Sequence, residues 1–172
     1  MAVVYYLGLN YRYLEEYEDA LEAYSEAREM AAELGNNGFV SGCYQSIAGI
    51  YDIQGRHALA IVHLDSALQI AREIGNKRLI YESLKGLSLN YRKSGQHAKS
   101  YDYLKKYVSA KDSVIKEENG KAMAEMRAKY EAEKQEQKIV LLESQGEAKR
   151  LQLQVAEYWQ YGLIGIAILF IL

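Results

Sequence analysis

Small and apolar residues recur along the first two thirds of the chain at intervals of 40 residues. In each copy a turn separates two groups of these residues, which predicts a pair of helices. The first copy contains Leu7, Gly8, Tyr11, Ala20, Tyr24 and Ala27, the second contains Ile47, Ala48, Tyr51, Ala60, Leu64 and Ala67, and the third contains Leu87, Ser88, Tyr91, Ser100, Leu104 and Tyr107. A single hairpin of this kind cannot bury its apolar face alone, so neighbouring copies must supply each other's core. The pattern therefore predicts an all-α superhelix of three stacked helical hairpins.

Glycine marks the predicted ends of the helices. Gly55 and Gly95 separate the two helices of the second and third copies, and the acidic, aromatic residues 15–20 take that place in the first. The Gly-Asn pairs at 35–36 and 75–76 follow the second helices, where a helix stop can adopt left-handed backbone angles. These stops predict hairpins at residues 1–36, 37–76 and 77–113, with first helices at 2–13, 40–53 and 80–93.

The spacing of Gly8 and Tyr11, followed by Ala20, Tyr24 and Ala27, resembles the tetratricopeptide repeat. The resemblance extends over residues 1–113. It implies that the small residues let two helices approach closely, and that the first helices line the concave face of the superhelix. The common repeat has about 34 residues, so each copy of 40 residues here is longer. A longer second helix explains the difference.

Residues 114–157 are rich in charge, with 17 charged residues among 44 and no proline. Where a third Gly-Asn stop would fall, the chain has Ile115 and Lys116, so the helix is predicted to continue. An imperfect seam of residues three and four apart contains Met123, Met126, Tyr130, Gln137, Val140 and Leu151. We interpret this segment as a weak coiled coil that forms a homodimer. The alternative is a single solvated helix.

The segment at 158–172 has a different composition. Tyr158, Trp159 and Tyr161 precede an apolar run at 162–172, as aromatic residues do at a membrane interface. Eleven residues cannot cross a bilayer, which takes about 20, so the run is either buried against protein or part of a transmembrane span that has been cut. The second interpretation predicts a single-pass, membrane-anchored protein. The start also looks cut, since Met1 falls in a predicted helix without a signal peptide.

Residues 103–119, 124–137 and 141–143 resemble a stretch of bacterial sensor proteins that are common in the Bacteroidetes. In these proteins tetratricopeptide repeats precede a coiled coil and one transmembrane helix, beyond which lies a histidine kinase or a DNA-binding domain. The resemblance implies a fragment that binds a protein or peptide and relays a signal, with its repeats periplasmic, outside the inner membrane. The alternative is a membrane-anchored scaffold that holds partners without a signalling output.

Charge and reactive residues restrict the possible chemistry. The formal net charge is −2, which argues against nucleic acid as a partner because phosphate binding needs a concentrated basic field. The single Cys43 cannot form an internal disulfide and is predicted to pack in the core. His57 and His97 occupy equivalent positions in successive copies, and together with His63 they show no metal-ligand spacing. We therefore expect no catalytic residue, cofactor or metal in this fragment.

The concave face that the resemblance implies provides the candidate binding residues. These are the positions of the three first helices outside the packing pattern: Tyr5, Arg12 and Tyr13, then Gln45 and Asp52, then Glu82, Lys85, Arg92 and Lys93. Lys85, Arg92 and Lys93 share one helical face and are predicted to receive a carboxylate or an acidic peptide. The alternative for these three residues is an ordinary solvated face.

Overall fold

The computed structural model describes the backbone of residues 1–171 and the side chains of residues 1–162. Within this part of the chain the structure contains helices and no strand, so the all-α prediction is confirmed. The helices are α1 (Ala2–Tyr13), α2 (Tyr17–Glu33), α3 (Asn37–Ile53), α4 (His57–Glu73), α5 (Lys77–Lys93) and α6 (His97–Ile171). Residues Met1–Glu118 form one compact unit, the repeat unit, and Asn119–Leu172 form a second.

All five turns in the repeat unit have one residue with a left-handed backbone. Gly35, Gly55, Gly75 and Gly95 have φ between 66° and 77°, and Glu15 has φ 63° at the equivalent place in the first turn. In each turn the N–H of this residue and that of the next residue donate to carbonyls of the preceding helix. This Schellman arrangement satisfies backbone groups that would otherwise lack partners at the helix end. The first turn therefore has the common geometry without the glycine that favours it.

Helix α1 has the predicted bounds, whereas α3 and α5 begin three residues before their predicted starts. The side chains of Asn36 and Asn76 accept hydrogen bonds of 3.1 Å from the backbone N–H groups of Phe39 and Leu79. The asparagines are therefore N-caps of the following helices, and only the preceding glycines have left-handed angles. Each Gly-Asn pair ends one helix and begins the next.

The core lies between successive helices and is built on the recurring small residues. Ala20, Ala48 and Ala60 are at most 1% exposed. At Gly8 an added Cβ would lie 2.9 Å from the ring of Tyr24, and at Gly86 it would lie 2.8 Å from the side chain of Leu64. At both positions a methyl group would force the neighbouring side chain to shift, so glycine favours packing of the helices at this distance.

The third hairpin uses serine where the second uses alanine. Ser88 in α5 donates to the carbonyl of Ser100 at 2.9 Å, and Ser100 in α6 donates to the carbonyl of Ser88 at 2.8 Å. The rings of Tyr91 and Tyr103 also stack across these helices, with centroids 5.2 Å apart. The first part of α6 therefore completes the third hairpin, as the repeat pattern predicts.

Helix α6 continues through Ile115 and Lys116, where the stop found in the other copies is missing. In the second unit the seam residues Met123, Met126 and Tyr130 are 58–73% exposed in the single chain. The apolar side chains of this seam lie on the surface, and homodimer formation by residues 114–157 stays a prediction.

The prediction of a single-pass membrane anchor at 158–172 is contradicted. No helix in the described part of the chain combines the length and apolar character needed to cross a bilayer. The side chains of 163–172, on which most of the predicted anchor falls, lie outside the described residues.

Candidate functional site

The first helices of the three hairpins border two adjoining clefts of the repeat unit. The larger cleft, of about 500 Å³, lies among α1, α3 and α5. The smaller cleft, of about 220 Å³, lies among α3, α4 and α5, and Gln45 and Glu82 line both. We call the two clefts together the groove.

Six of the nine predicted binding residues line the groove. They are Tyr5, Arg12, Gln45, Asp52, Glu82 and Lys85. Tyr13, Arg92 and Lys93 are exposed and do not line either cleft. The structure therefore brings together candidates from all three first helices, while the two cations at the end of α5 lie outside the clefts.

Lys93 forms an ion pair with Asp52, another of the predicted binding residues. Its Nζ lies 2.7 Å from both carboxylate oxygens of Asp52, and Nδ1 of His57 lies 3.2 Å from the same carboxylate. The His57 Nδ1 is also 3.2 Å from Oδ1 of Asn90. Because both neighbours of this nitrogen are hydrogen-bond acceptors, it is suited to carry the proton. The cluster links α3, α4 and α5, so Lys93 has an internal partner in place of a ligand carboxylate.

The other end of the groove has a packed, hydrogen-bonded wall. The Tyr5 hydroxyl lies 2.9 Å from Oγ of Ser46, and the Tyr5 ring contacts Tyr24, with centroids 5.2 Å apart. Burial raises the pKa of the fully covered Tyr24 to about 12. Gln45 donates to the carbonyl of Leu79 at 3.0 Å and to Ser83. Tyr5 and Gln45 thus hold the helices of the groove together as well as facing it.

Arg78 also lines the groove and was not among the predicted residues. It lies in the first turn of α5, before the predicted helix start at residue 80. Its Nε lies 3.0 Å from Glu82, one helical turn away, and this contact raises the pKa of Arg78. The three-residue spacing of Asn76 and Leu79 at the N-cap was the signal that would have included it.

The acidic groups of the groove have ion-pair partners, whereas two of its basic groups have none among the described residues. Asp52 and Glu82 both have cationic partners, whereas Arg12 and Lys85 form no ion pair with any of the described residues. Arg12 is partly buried and Lys85 is exposed. The groove therefore offers one guanidinium and one ammonium group to a ligand, and its carboxylates are already neutralised.

The buried reactive groups of the repeat unit lie away from these clefts. Cys43 is fully covered, and burial raises the pKa of its thiol to about 11. His63 stacks on Tyr51, with ring centroids 5.3 Å apart, and burial lowers its pKa. Among the described residues no group of three or more His, Cys, Asp or Glu side chains is placed to hold a metal ion.

Comparison with known proteins matches the first two thirds of the chain to a family model described as tetratricopeptide repeat. The model matches residues 1–73 and again residues 40–113. Response regulator aspartate phosphatase H of Bacillus subtilis (strain 168) is 28% identical over 149 residues, which are 85% of this chain and 39% of that protein. Response regulator aspartate phosphatase A of the same strain is 40% identical over 67 residues, which are 39% of this chain and 18% of that protein. The chain thus spans less than half the length of either relative.

Solved structures agree on the fold. The crystal structure of aspartyl phosphate phosphatase F from Bacillus subtilis aligns with a TM-score of 0.61 at 18% identity, over 65% of this chain and 30% of that one. The repeat domain of Arabidopsis FLU aligns with the same TM-score and identity, over 65% of this chain and 94% of that domain. At such identity the likeness shows the superhelical fold alone.

Proposed function

Because the chain belongs to the tetratricopeptide-repeat family, whose stacked hairpins form protein-interaction surfaces, we propose that its groove binds an acidic segment of a protein or peptide partner. The observation that carries the proposal is the presence of two cations without a carboxylate partner among the described residues, Arg12 and Lys85, on a groove whose own carboxylates are neutralised within the fold. No enzymatic step is assigned to this surface.

The chemistry of the two cations supports an acidic ligand. The guanidinium of Arg12 can form two parallel hydrogen bonds with a carboxylate. Since Arg12 is partly buried, such a bond is less screened by salt than one on an open surface. Lys85 lies on the smaller cleft and contributes a second positive charge. A segment with two acidic groups that follows both clefts would therefore satisfy both cations.

The proposal is tested with an array of acidic peptides and isothermal titration of those that bind. We expect Arg12→Glu to weaken binding by about tenfold or more, since it replaces attraction with repulsion, and Lys85→Glu to weaken it to a smaller extent. Arg92→Glu is the matched control, because Arg92 is an exposed arginine of α5 that lines neither cleft.

Circular dichroism verifies that each variant keeps its helices. Peptides that bind the Arg12→Glu, Lys85→Glu double variant as tightly as they bind the wild type would refute the proposal. If Arg92→Glu weakened peptide binding as much as Arg12→Glu, the loss of affinity would be explained by general surface charge and not by the groove.

A response regulator is a second, narrower candidate for the partner. It is suggested by the two Bacillus relatives, which are named response regulator aspartate phosphatases. Titration of purified receiver domains, with and without phosphorylation, tests this candidate. Saturable binding that Arg12→Glu weakens would support it, and the absence of binding across the panel would exclude it in favour of other acidic partners.

Relay of binding to an output domain is a finer proposal that rests on the resemblance to bacterial sensors. It requires residues 114–157 to pair as a homodimer, and the exposed seam residues Met126 and Val140 are compatible with pairing. Sedimentation equilibrium is the test: Met126→Lys should abolish a dimer, whereas Lys129→Gln outside the seam should keep it. A wild-type chain that stays monomeric at high concentration would refute the relay through a dimer.

A further inference from the structure

The third hairpin has an exposed apolar surface on α6, outside the groove. Tyr101, Leu104 and Val108 lie on one face of the helix and are 62%, 44% and 47% exposed. Lys105, Asp112 and Lys116 lie beside Leu104 and Val108 on the same open surface of the helix. We call this surface the α6 face.

In the second hairpin, the positions equivalent to the α6 face are covered by the next helix. Ile61, Leu64 and Leu68 of α4 lie 40 residues before the three apolar residues of the α6 face. They are only 9%, 5% and 4% exposed, because they pack in one core cluster with residues of α5. An α-helix therefore fits this surface, and the α6 face keeps the apolar residues that receive one.

A solvated end of a repeat array would have a different sequence. The outer face of a terminal repeat is polar in soluble arrays, because no further repeat covers it. Exposed apolar residues at three repeat-equivalent positions instead mark a surface that buries apolar area when a partner binds. Helix α6 continues through residues 115 and 116 without the turn that would begin a fourth hairpin in register. The covering helix therefore does not follow in the repeat register.

We propose that the α6 face binds an amphipathic α-helix of a partner protein, with glycine opposite Leu104 and acidic residues beside Lys105 and Lys116. The glycine follows from the close approach of Leu64 to Gly86, where an added Cβ would lie 2.8 Å from the leucine side chain. Leu104 presents the same side chain at the equivalent position. The acidic residues complement the two lysines of this surface, which carries a single carboxylate, that of Asp112.

This binding is independent of the groove proposed above. None of the residues of the α6 face lines either groove cleft. Arg12→Glu and Lys85→Glu should therefore leave it unchanged, so failure of one proposal does not affect the other.

A defined probe is available in the chain itself, because α5 is the helix that covers the equivalent surface of α4. The probe is a fluorescein-labelled peptide of residues 76–93. The substitutions Lys85→Glu, Arg92→Glu and Lys93→Glu replace three cations of this helix with acidic residues that the lysines of the α6 face can attract. Arg78→Lys allows a lactam to the glutamate at position 82, where α5 already has a pair one turn apart. The lactam keeps the short peptide helical, which circular dichroism verifies.

Fluorescence polarisation with the full chain is the measurement. We expect saturable binding that Gly86→Leu in the peptide weakens by about tenfold or more, because the larger side chain prevents close approach to Leu104. Leu104→Asp in the protein should abolish binding. Val62→Asp is the matched control, since Val62 is 60% exposed on α4 and the chain already has Asp102 at the equivalent place in α6.

Each remaining outcome overturns the proposal. A helical probe that does not bind, or that binds equally well with leucine in place of Gly86, would show that the α6 face does not accept such a helix. Sedimentation velocity adds a separate readout: a dimer of the chain that Leu104→Asp dissociates would identify a second copy as the occupant of the face.

Discussion

Glycine in place of Glu15 should stabilise the first hairpin. Glu15 has φ 63° in a turn whose four counterparts all have glycine. A residue with a Cβ in the left-handed region costs about 1–2 kcal/mol. Glycine costs about 0.5–1 kcal/mol in the unfolded chain because it has more conformational freedom to lose. The difference predicts that Glu15→Gly raises the free energy of unfolding by about 0.5–1 kcal/mol.

The opposite change at Gly55 provides the reciprocal test. Gly55 has φ 73°, and an added Cβ would meet nothing within 4 Å, so the cost of Gly55→Glu comes from the backbone alone. We expect it to lower the free energy of unfolding by a similar amount. Glu15→Gln is a control for charge, because it removes the negative charge near the start of α2 and keeps the left-handed strain.

Thermal and urea unfolding, followed by circular dichroism at the helix band, measures these effects. A change of this size shifts the melting temperature of a domain of about 100 residues by roughly 2–8 °C. If Glu15→Gly stabilised no more than Glu15→Gln, the gain would be electrostatic. If Gly55→Glu left stability unchanged, the explanation from backbone strain would be refuted for both turns.

Three further predictions concern the core. Gly86→Ala should destabilise the fold by about 1–3 kcal/mol because its methyl group overlaps a leucine of α4. Gly49→Ala, whose added Cβ would meet nothing within 4 Å, should stabilise α3 by up to about 1 kcal/mol; equal effects of the two substitutions in urea unfolding would contradict the close approach. Burial raises the pKa of Cys43 from 9.0 to about 11, because the folded core favours the neutral thiol over the thiolate. The contribution of this group to stability is therefore present below pH 9 and is lost between pH 9 and 11. In that range the free energy of unfolding should fall more steeply with pH for the wild type than for Cys43→Ala, and equal slopes for the two proteins would contradict the prediction. Ser88→Ala and Ser100→Ala should each cost about 1 kcal/mol, and a double mutant as stable as the wild type would exclude a contribution from these hydrogen bonds.

Local sequence features predicted the repeat architecture well. The interval of 40 residues identified the hairpins, because stacking places the same small residues at each close contact. Helix starts were less accurate, since an asparagine after glycine was interpreted as part of a stop. Asn36 and Asn76 in fact act as N-caps. Because the first turn of α5 was not included in the predicted helix, Arg78 was not among the predicted groove residues.

The pairing of charges in the groove was beyond the sequence. Lys93 and Asp52 are 41 positions apart, and their contact depends on how α3 and α5 are set by the superhelix. The repeat pattern placed both residues on first helices but did not predict that they contact each other. The membrane prediction is contradicted because no helix of the described residues is both long enough and apolar enough to cross a bilayer.

Turns of equal length allow the repeat unit to be divided into whole hairpins. From Asn36 onward the helices of 17 residues alternate with turns of three, up to the start of α6. A tandem duplication of residues 37–76 would join Asn76 to a second Asn37 and recreate the Gly-Asn junction that already precedes α3. At the level of the gene, one unequal crossover could add a hairpin whose junction has the same sequence as an existing turn. The length of the groove is thus open to change by whole repeats during evolution.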